Sequence, residues 1–126
     1  MKKTVSINKI IVQKYGGSSL SNSRKIREVS SLITKKKDEG NSLVIIVSAM
    51  GKSTDELVSL IRGVADKNIP DPREMDILLS TGEIVSSTLM AIALKSKGYD
   101  AVSLSGTQAG ITTDSSHGAA RIRDIN

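Results

Sequence analysis

"IIVQKYGGSSL", residues 10–20, decides how this chain is read. A run of apolar, largely β-branched residues ends in a lysine and then gives way to two glycines and two serines. β-Branched residues favour a pleated strand, and bare glycine backbone lets a ligand come close. The N–H groups of a strand-to-helix turn form a nest for an anion, with Lys14 supplying a mobile positive charge beside it. The bland alternative is an ordinary glycine turn below a snorkelling lysine.

The flanking segments turn this stretch into a fold. "KIIVQKY" (9–15) reads as a first strand after a polar, lysine-bearing lead-in. The segment 21–40 places Ile26, Val29, Leu32 and Ile33 on one helical face, with Ser and Asn in front as caps and Gly40 as a stop. "SLVIIV" (42–47) is apolar at five consecutive positions, the pattern of a strand buried on both faces of a parallel sheet. A second helix follows "SAMGKST", with Ser53 and Glu56 spaced as a capping box. After the loop "NIPDPRE", "PREMDILLSTGE" predicts a short helix, and residues 83–98 predict a strongly apolar one ending at Gly98. "AVSLSG" (101–106) predicts a third strand and "ARIRDI" (120–125) a fourth.

Strands alternating with helices predict an α/β fold with a largely parallel sheet. Ligands of such sheets bind beyond the carboxyl ends of the strands. The polar loops GGSS, SAMGKST and SGTQAGITTD all fall there, so three loops are expected to converge on one rim.

Composition narrows the chemistry. The chain has 126 residues, 38% hydrophobic and 25% charged, which suits one soluble globular domain. With two Tyr, no Trp and no Phe, it lacks the stacking platforms that single-stranded nucleic acid needs. No nucleic-acid partner is expected. Without Cys there is no disulfide, thiolate metal site or cysteine nucleophile, and a reducing cytoplasm is the natural home. No run of about 18 apolar residues is evident, so no membrane span is expected. Residues 1–40 hold 10 Lys/Arg against 3 Asp/Glu, while the remainder holds 8 against 10. A basic front end suits a polyphosphate as well as a nucleic acid.

Two nucleotide fingerprints fail. G-x-G-x-x-G is absent, and "GKST" (51–54) lacks the glycine a P-loop requires, since Ile46 stands there. Ser48 and Thr54 offer hydroxyls at a helix start, whereas Ser53 is explained by capping alone. Glu83 is expected in the first turn of the apolar helix, where the dipole would favour it regardless of function. Its functional reading is a carboxylate meeting a substrate ammonium. His117 is the sole histidine, so a zinc site is implausible and a surface or hydrogen-bonding role is expected. Nothing singles out Asp114 as a metal ligand, and no metal-binding residue is assigned.

Taken in order, "VQKYGGSSL", "VSAMGKSTDEL", "REMDILLSTGE" and "LSGTQAGITTDSSHGAARI" resemble four successive blocks of the aspartate kinases. The resemblance covers nearly all of residues 10–125. It implies a three-layer αβα amino-acid kinase fold that transfers the γ-phosphoryl of ATP, with Mg2+, to the β-carboxylate of L-aspartate. That reaction is the first step of lysine, threonine and methionine biosynthesis. By the same resemblance Lys14 would be catalytic, and Lys14, Tyr15, Gly16, Gly17 and Ser18 would face the phosphates. Ser48, Thr54 and Glu83 would hold the aspartate. Such an enzyme is expected to be a cytoplasmic homo-oligomer. In that family the adenosine pocket, a second basic residue and the arginine gripping the substrate's α-carboxylate lie later in the domain, before regulatory ACT domains. Residues 1–126 are therefore expected to be the N-terminal portion of one kinase domain, inactive alone. An apolar face should lie uncovered along Val44, Ile45 and Ile46 or along Leu89, Ile92 and Leu94, favouring self-association. Two alternatives remain: a kinase with a different carboxylate acceptor, or a non-catalytic kinase-like interaction module.

Overall fold

The computed structural model describes residues 9–126, so the lead-in at 1–8 lies outside the described residues. Strand β1 (Ile10–Tyr15) and strand β2 (Ser42–Val47) pair in parallel, with Lys14 opposite Ile46 and Tyr15 opposite Val47. Helix α1 (Ser23–Asp38) makes the crossover between them. Asn22 caps it by accepting the Lys25 N–H at 3.0 Å. Gly40, in the left-handed region at φ +87°, turns the chain into β2. Helices α2 (Ser53–Ala65) and α3 (Pro72–Lys95) follow, then a short antiparallel hairpin of β3 (Ile111–Thr113) and β4 (Ile122–Ile125).

Period-two alternation gives the sheet one packed face. Tyr15, Leu43, Ile45 and Val47 rest on a core of Leu20, Ile26, Val29, Ile33, Met90 and Leu94, drawn from α1, α3 and the turn after β1. On the opposite face Ile10, Val12, Val44 and Ile46 stand exposed, the last two at 45% each. β2 is therefore not buried on both faces, because the described residues build the sheet and one of its two expected helical layers. Val44 and Ile46 are exposed on the sheet, and Leu89 and Ile92 are exposed on α3, whereas Ile45 and Leu94 belong to the packed side.

Other expectations change. Leu32 points outward on α1 at 56% exposure, and Leu20 fills the core position in front of the helix. The two helices expected between 72 and 98 are one, running unbroken through Gly82. At 24 residues α3 is also long and apolar enough to cross a membrane by those two criteria, contrary to the sequence reading. One stripe of it is buried, with Gly82, Ser86, Met90 and Leu94 at four-residue spacing. Ser53 opens α2 as its first helical residue and caps nothing; Lys52 occupies the N-cap without a side-chain bond, so no capping box forms.

Residues 101–105 carry the apolar alternation of a strand but join no ladder. A groove of about 520 Å³ runs between residues 101–104 and β2, lined on both sides by apolar side chains such as Val44, Ile46, Val102 and Leu104. The fourth strand is present at Ile122–Ile125, paired antiparallel rather than within a parallel sheet. Beyond α3 the chain is tied back to α1, where the Tyr99 hydroxyl donates to Asp38 at 2.7 Å and Lys97 Nζ donates to Ser31 Oγ.

Candidate functional site

The carboxyl ends of β1 and β2 open into two turns that interlock. Ser48 N–H donates to Tyr15 O at 3.1 Å, extending the parallel ladder by one bond. Gly51 N–H then donates to Gly17 O at 2.9 Å, joining the GGSS turn to the SAMG turn directly. Gly51 sits at φ +51°, against the side chain of Ser21. The two glycines of the first turn differ. A β-carbon at Gly17 would lie 2.6 Å from the Ala49 carbonyl oxygen, so that glycine is bare to admit the neighbouring turn. Gly16 has ordinary extended backbone and nothing within 4 Å of its missing side chain. Its bareness answers to no contact among the described residues and leaves open space at the end of β1.

Lys14 is exposed, on the uncovered face of the sheet and next to that space. Among the described residues it has no ion-pair partner, so its charge is free to meet an anion. Gly16, Gly17 and Ser18 offer main-chain N–H groups without acceptors among the described residues. Lys25, on which no sequence signal falls, reaches back from α1 and donates to Ser18 O at 2.9 Å. Its spacing of seven from Ser18 carries no signal until the turn and the helix are placed together. Tyr15 is turned the other way. Its ring packs on the core, where burial pushes the phenol pKa upward, and its hydroxyl faces Gln13. Its place in a phosphate-facing set rests on its main chain.

Helix α3 also reaches these turns, through Gly82 at Ala49. Glu83 is exposed in mid-helix, without an ion-pair partner among the described residues. The dipole explanation expected for it therefore falls away, because the first turn of this helix lies at Pro72. Glu83 follows Gly82, whose position against Ala49 brings α3 up to the SAMG turn. Ser48 is half-buried in that turn, and Thr54 is exposed in the first turn of α2. Ser48 and Gly82 enter through one contact region around Ala49, which the sequence reading did not single out.

The third polar loop does not join these two by hydrogen bonds among the described residues. It is stitched internally by Asp114, which accepts from the Ser116 and Arg121 N–H groups at 3.1 and 3.2 Å and pairs with Arg123 at 3.3 Å. Those backbone donors hold its carboxyl below the usual value. The loop is moored to α3 through Asp76, whose Oδ2 accepts the Gly118 N–H at 2.9 Å and lies 3.1 Å from His117 Nδ1. His117 thus has the hydrogen-bonding role expected of it. Asp76 and Glu83 are seven residues apart, two turns along one helical face. Among the described residues no three His, Asp or Glu side chains gather as a metal site.

Residues 9–126 match the pattern of the Amino acid kinase family. The chain is 52% identical to aspartokinase 2 of Bacillus subtilis over 117 residues, which are 93% of this chain and 28% of that protein. It is 53% identical to an aspartokinase of Geobacillus stearothermophilus over the same length and the same shares, and 47% identical to one of Mycolicibacterium smegmatis over 116 residues, 92% of this chain and 27% of that protein. The crystal structure of aspartate kinase from Synechocystis is similar at a TM-score of 0.75 and 48% identity, covering 81% of this chain and 17% of that one. The chain thus spans somewhat over a quarter of the length of the curated relatives it matches.

Proposed function

The chain belongs to the amino acid kinase family, and from that premise we propose that it is the N-terminal part of an aspartate kinase domain. The reaction is transfer of the γ-phosphoryl of ATP to the β-carboxylate of L-aspartate in the cytoplasm. The observation that carries this reading is the pair of interlocked turns, Gly51 N–H on Gly17 O, with Lys14 and Glu83 both exposed near them and without ion-pair partners among the described residues. Similarity to several aspartokinases at about half identity over the same residues supports it.

The chemistry needs few specialised groups. An aspartate side chain, with a pKa near 3.9, is ionised at neutral pH, so no general base has to take a proton. A carboxylate oxygen forms a bond to the γ-phosphorus as the bond to the ADP oxygen breaks, and both partners are anionic. Lys14 offsets charge on the phosphoryl oxygens, and the N–H groups of Gly16, Gly17 and Ser18 orient them. Tyr15 contributes its main chain to that turn. Glu83 meets the α-ammonium of the amino acid, while the hydroxyls of Ser48 and Thr54 bind its polar groups. The described residues form no carboxylate cage for Mg2+. Mg2+ would instead keep phosphate oxygens and waters as its ligands. The walls for adenosine and for the substrate's α-carboxylate are assigned to chain beyond these residues, in a homo-oligomeric enzyme.

The test is ATP-dependent trapping of aspartyl phosphate as the hydroxamate, using the full-length protein and a panel of carboxylate acceptors. Turnover with aspartate alone is expected. Turnover with another acceptor instead would keep the kinase and change its substrate, and none at all would favour a non-catalytic module.

A further inference from the structure

Ala49 is 5% exposed, and two glycines from different elements approach it at different atoms. A β-carbon at Gly17 would stand 2.6 Å from the Ala49 carbonyl oxygen, with Gly51 O next at 3.3 Å. A β-carbon at Gly82 would stand 2.9 Å from the Ala49 β-carbon, with a Leu57 methyl next at 3.8 Å. Both separations lie inside van der Waals contact. Neither glycine has positive φ, so packing rather than backbone conformation requires them. Gly82 is the sharper case: glycine is a poor helix former, yet it occupies the middle of the longest helix and is buried there.

We propose that Gly17, Ala49 and Gly82 form a spacer one methyl group thick. It sets the distance from the phosphate-facing turn to Glu83, and it makes Gly82 and Ala49 positioning residues for the amino-acid side of the site. The inference rests on the aspartate kinase reading. Glu83 adjoins Gly82 on a rigid helix, so any outward shift forced at Gly82 is passed on to the carboxylate. Phosphoryl transfer is sensitive to such a shift, since a misplacement of about 1 Å costs on the order of 10²-fold in rate.

The two contacts are chemically unlike, and that makes the spacer testable. At Gly82 the obstacle is the Ala49 methyl group, which Ala49→Gly removes. At Gly17 it is a main-chain carbonyl, which no side-chain substitution removes. In the full-length protein Gly82→Ala should raise the KM for aspartate by roughly 10-fold or more, while the KM for ATP stays within about twofold. Adding Ala49→Gly should bring the aspartate KM back most of the way. Gly17→Ala should impair the enzyme, with no recovery on adding Ala49→Gly. Thermal unfolding of the same variants should show non-additive effects for residues 49 and 82, as befits side chains in contact.

Should Gly82→Ala prove insoluble, a soluble Gly82→Ala/Ala49→Gly protein supports the spacer and an insoluble one overturns it. Equal effects on both KM values, failure of the double variant to recover, or additive unfolding would likewise overturn it. Absence of aspartate-dependent turnover in the unsubstituted protein would instead overturn the functional reading, and with it the assignment of Glu83. The unfolding cycle would still decide whether residues 49 and 82 are packed against each other.

Discussion

The turns around Ala49 and the hairpin at residues 105–126 are both rich in glycine and hydroxylated residues, yet different forces hold them. Ala49 and Leu20 are buried beside the first two turns, and glycines 17 and 82 let main chain and helix close to within a methyl group of each other. From residue 101 onward no side chain is buried. That region is kept in place by Asp114 on its own backbone, by Asp76 reaching across from α3, and by the short β3–β4 ladder. Loops of similar composition therefore answer to different disturbances. The first region should respond to volume, and the second to charge and pH.

The largest expected effect tests the packed region. Leu20 is fully buried where β1 turns into α1. Leu20→Ala leaves a cavity in the only core the described residues share, and should cost about 2–5 kcal/mol in denaturant unfolding. Ile122→Ala, at a position 61% exposed on the hairpin, should stay within about 0.5 kcal/mol. Similar losses at both sites would erase the contrast between the regions.

Next comes Lys14→Ala. The side chain is exposed and unpaired among the described residues, so the unfolding midpoint should hardly move. The kcat of the full-length protein should fall by on the order of 10²-fold, as when one preorganised electrostatic group is lost. A fall of less than about threefold would make Lys14 an ordinary surface lysine. Glu83→Gln should act on one substrate only. The KM for aspartate should rise well beyond that for ATP, because in the proposed site the charge lost meets the ammonium and not the phosphates. Equal changes in both constants would remove Glu83 from the amino-acid side.

The packed region was the more legible of the two in the sequence, and the reason is periodicity. Alternation and a 3.6-residue repeat announce β1, α1 and β2, because burial on one face imposes those periods. The breaks were misplaced where long-range packing overrides local preference. "STGE" reads as a helix boundary because glycine is a poor helix former, yet Ala49, more than 30 residues away, gives Gly82 its place within α3. Ser53 and Glu56 have capping-box spacing, but the Met50–Gly51 turn starts the helix by itself, with Ser53 N–H on Met50 O at 2.8 Å. "AVSLSG" has strand alternation without a partner ladder, and a partner is something alternation cannot supply. At the site, Lys14, Gly16 and Glu83 stood out as residue types in unusual places. Lys25, Ala49 and Gly82 did not, since their roles arise from contacts across the fold.

The smallest expected effect belongs to Asp114, and it tests the stitched region by pH. Its carboxyl is held below the ordinary value first by the Ser116 and Arg121 N–H groups. A carboxyl lowered on folding contributes stability above its unfolded pKa and loses it as pH falls through the lower folded value. The ordinary value is 3.8, so the hairpin should keep this support at neutral pH and surrender it only below pH 3.8. Because the group ties the hairpin to itself and not to the core, its protonation should loosen residues 114–121 without unfolding the packed region. Amide-proton chemical shifts of Ser116 and Arg121 should then titrate together below pH 3.8, while those of Gly51 and Ser48 stay level. Asp114→Asn keeps one acceptor oxygen and removes the charge, so the acid titration of both amides should vanish, and the midpoint of global unfolding at neutral pH should barely change. A Gly51 amide that titrates in step with Ser116 would show that the two regions are coupled, and the division between packing and stitching would fail.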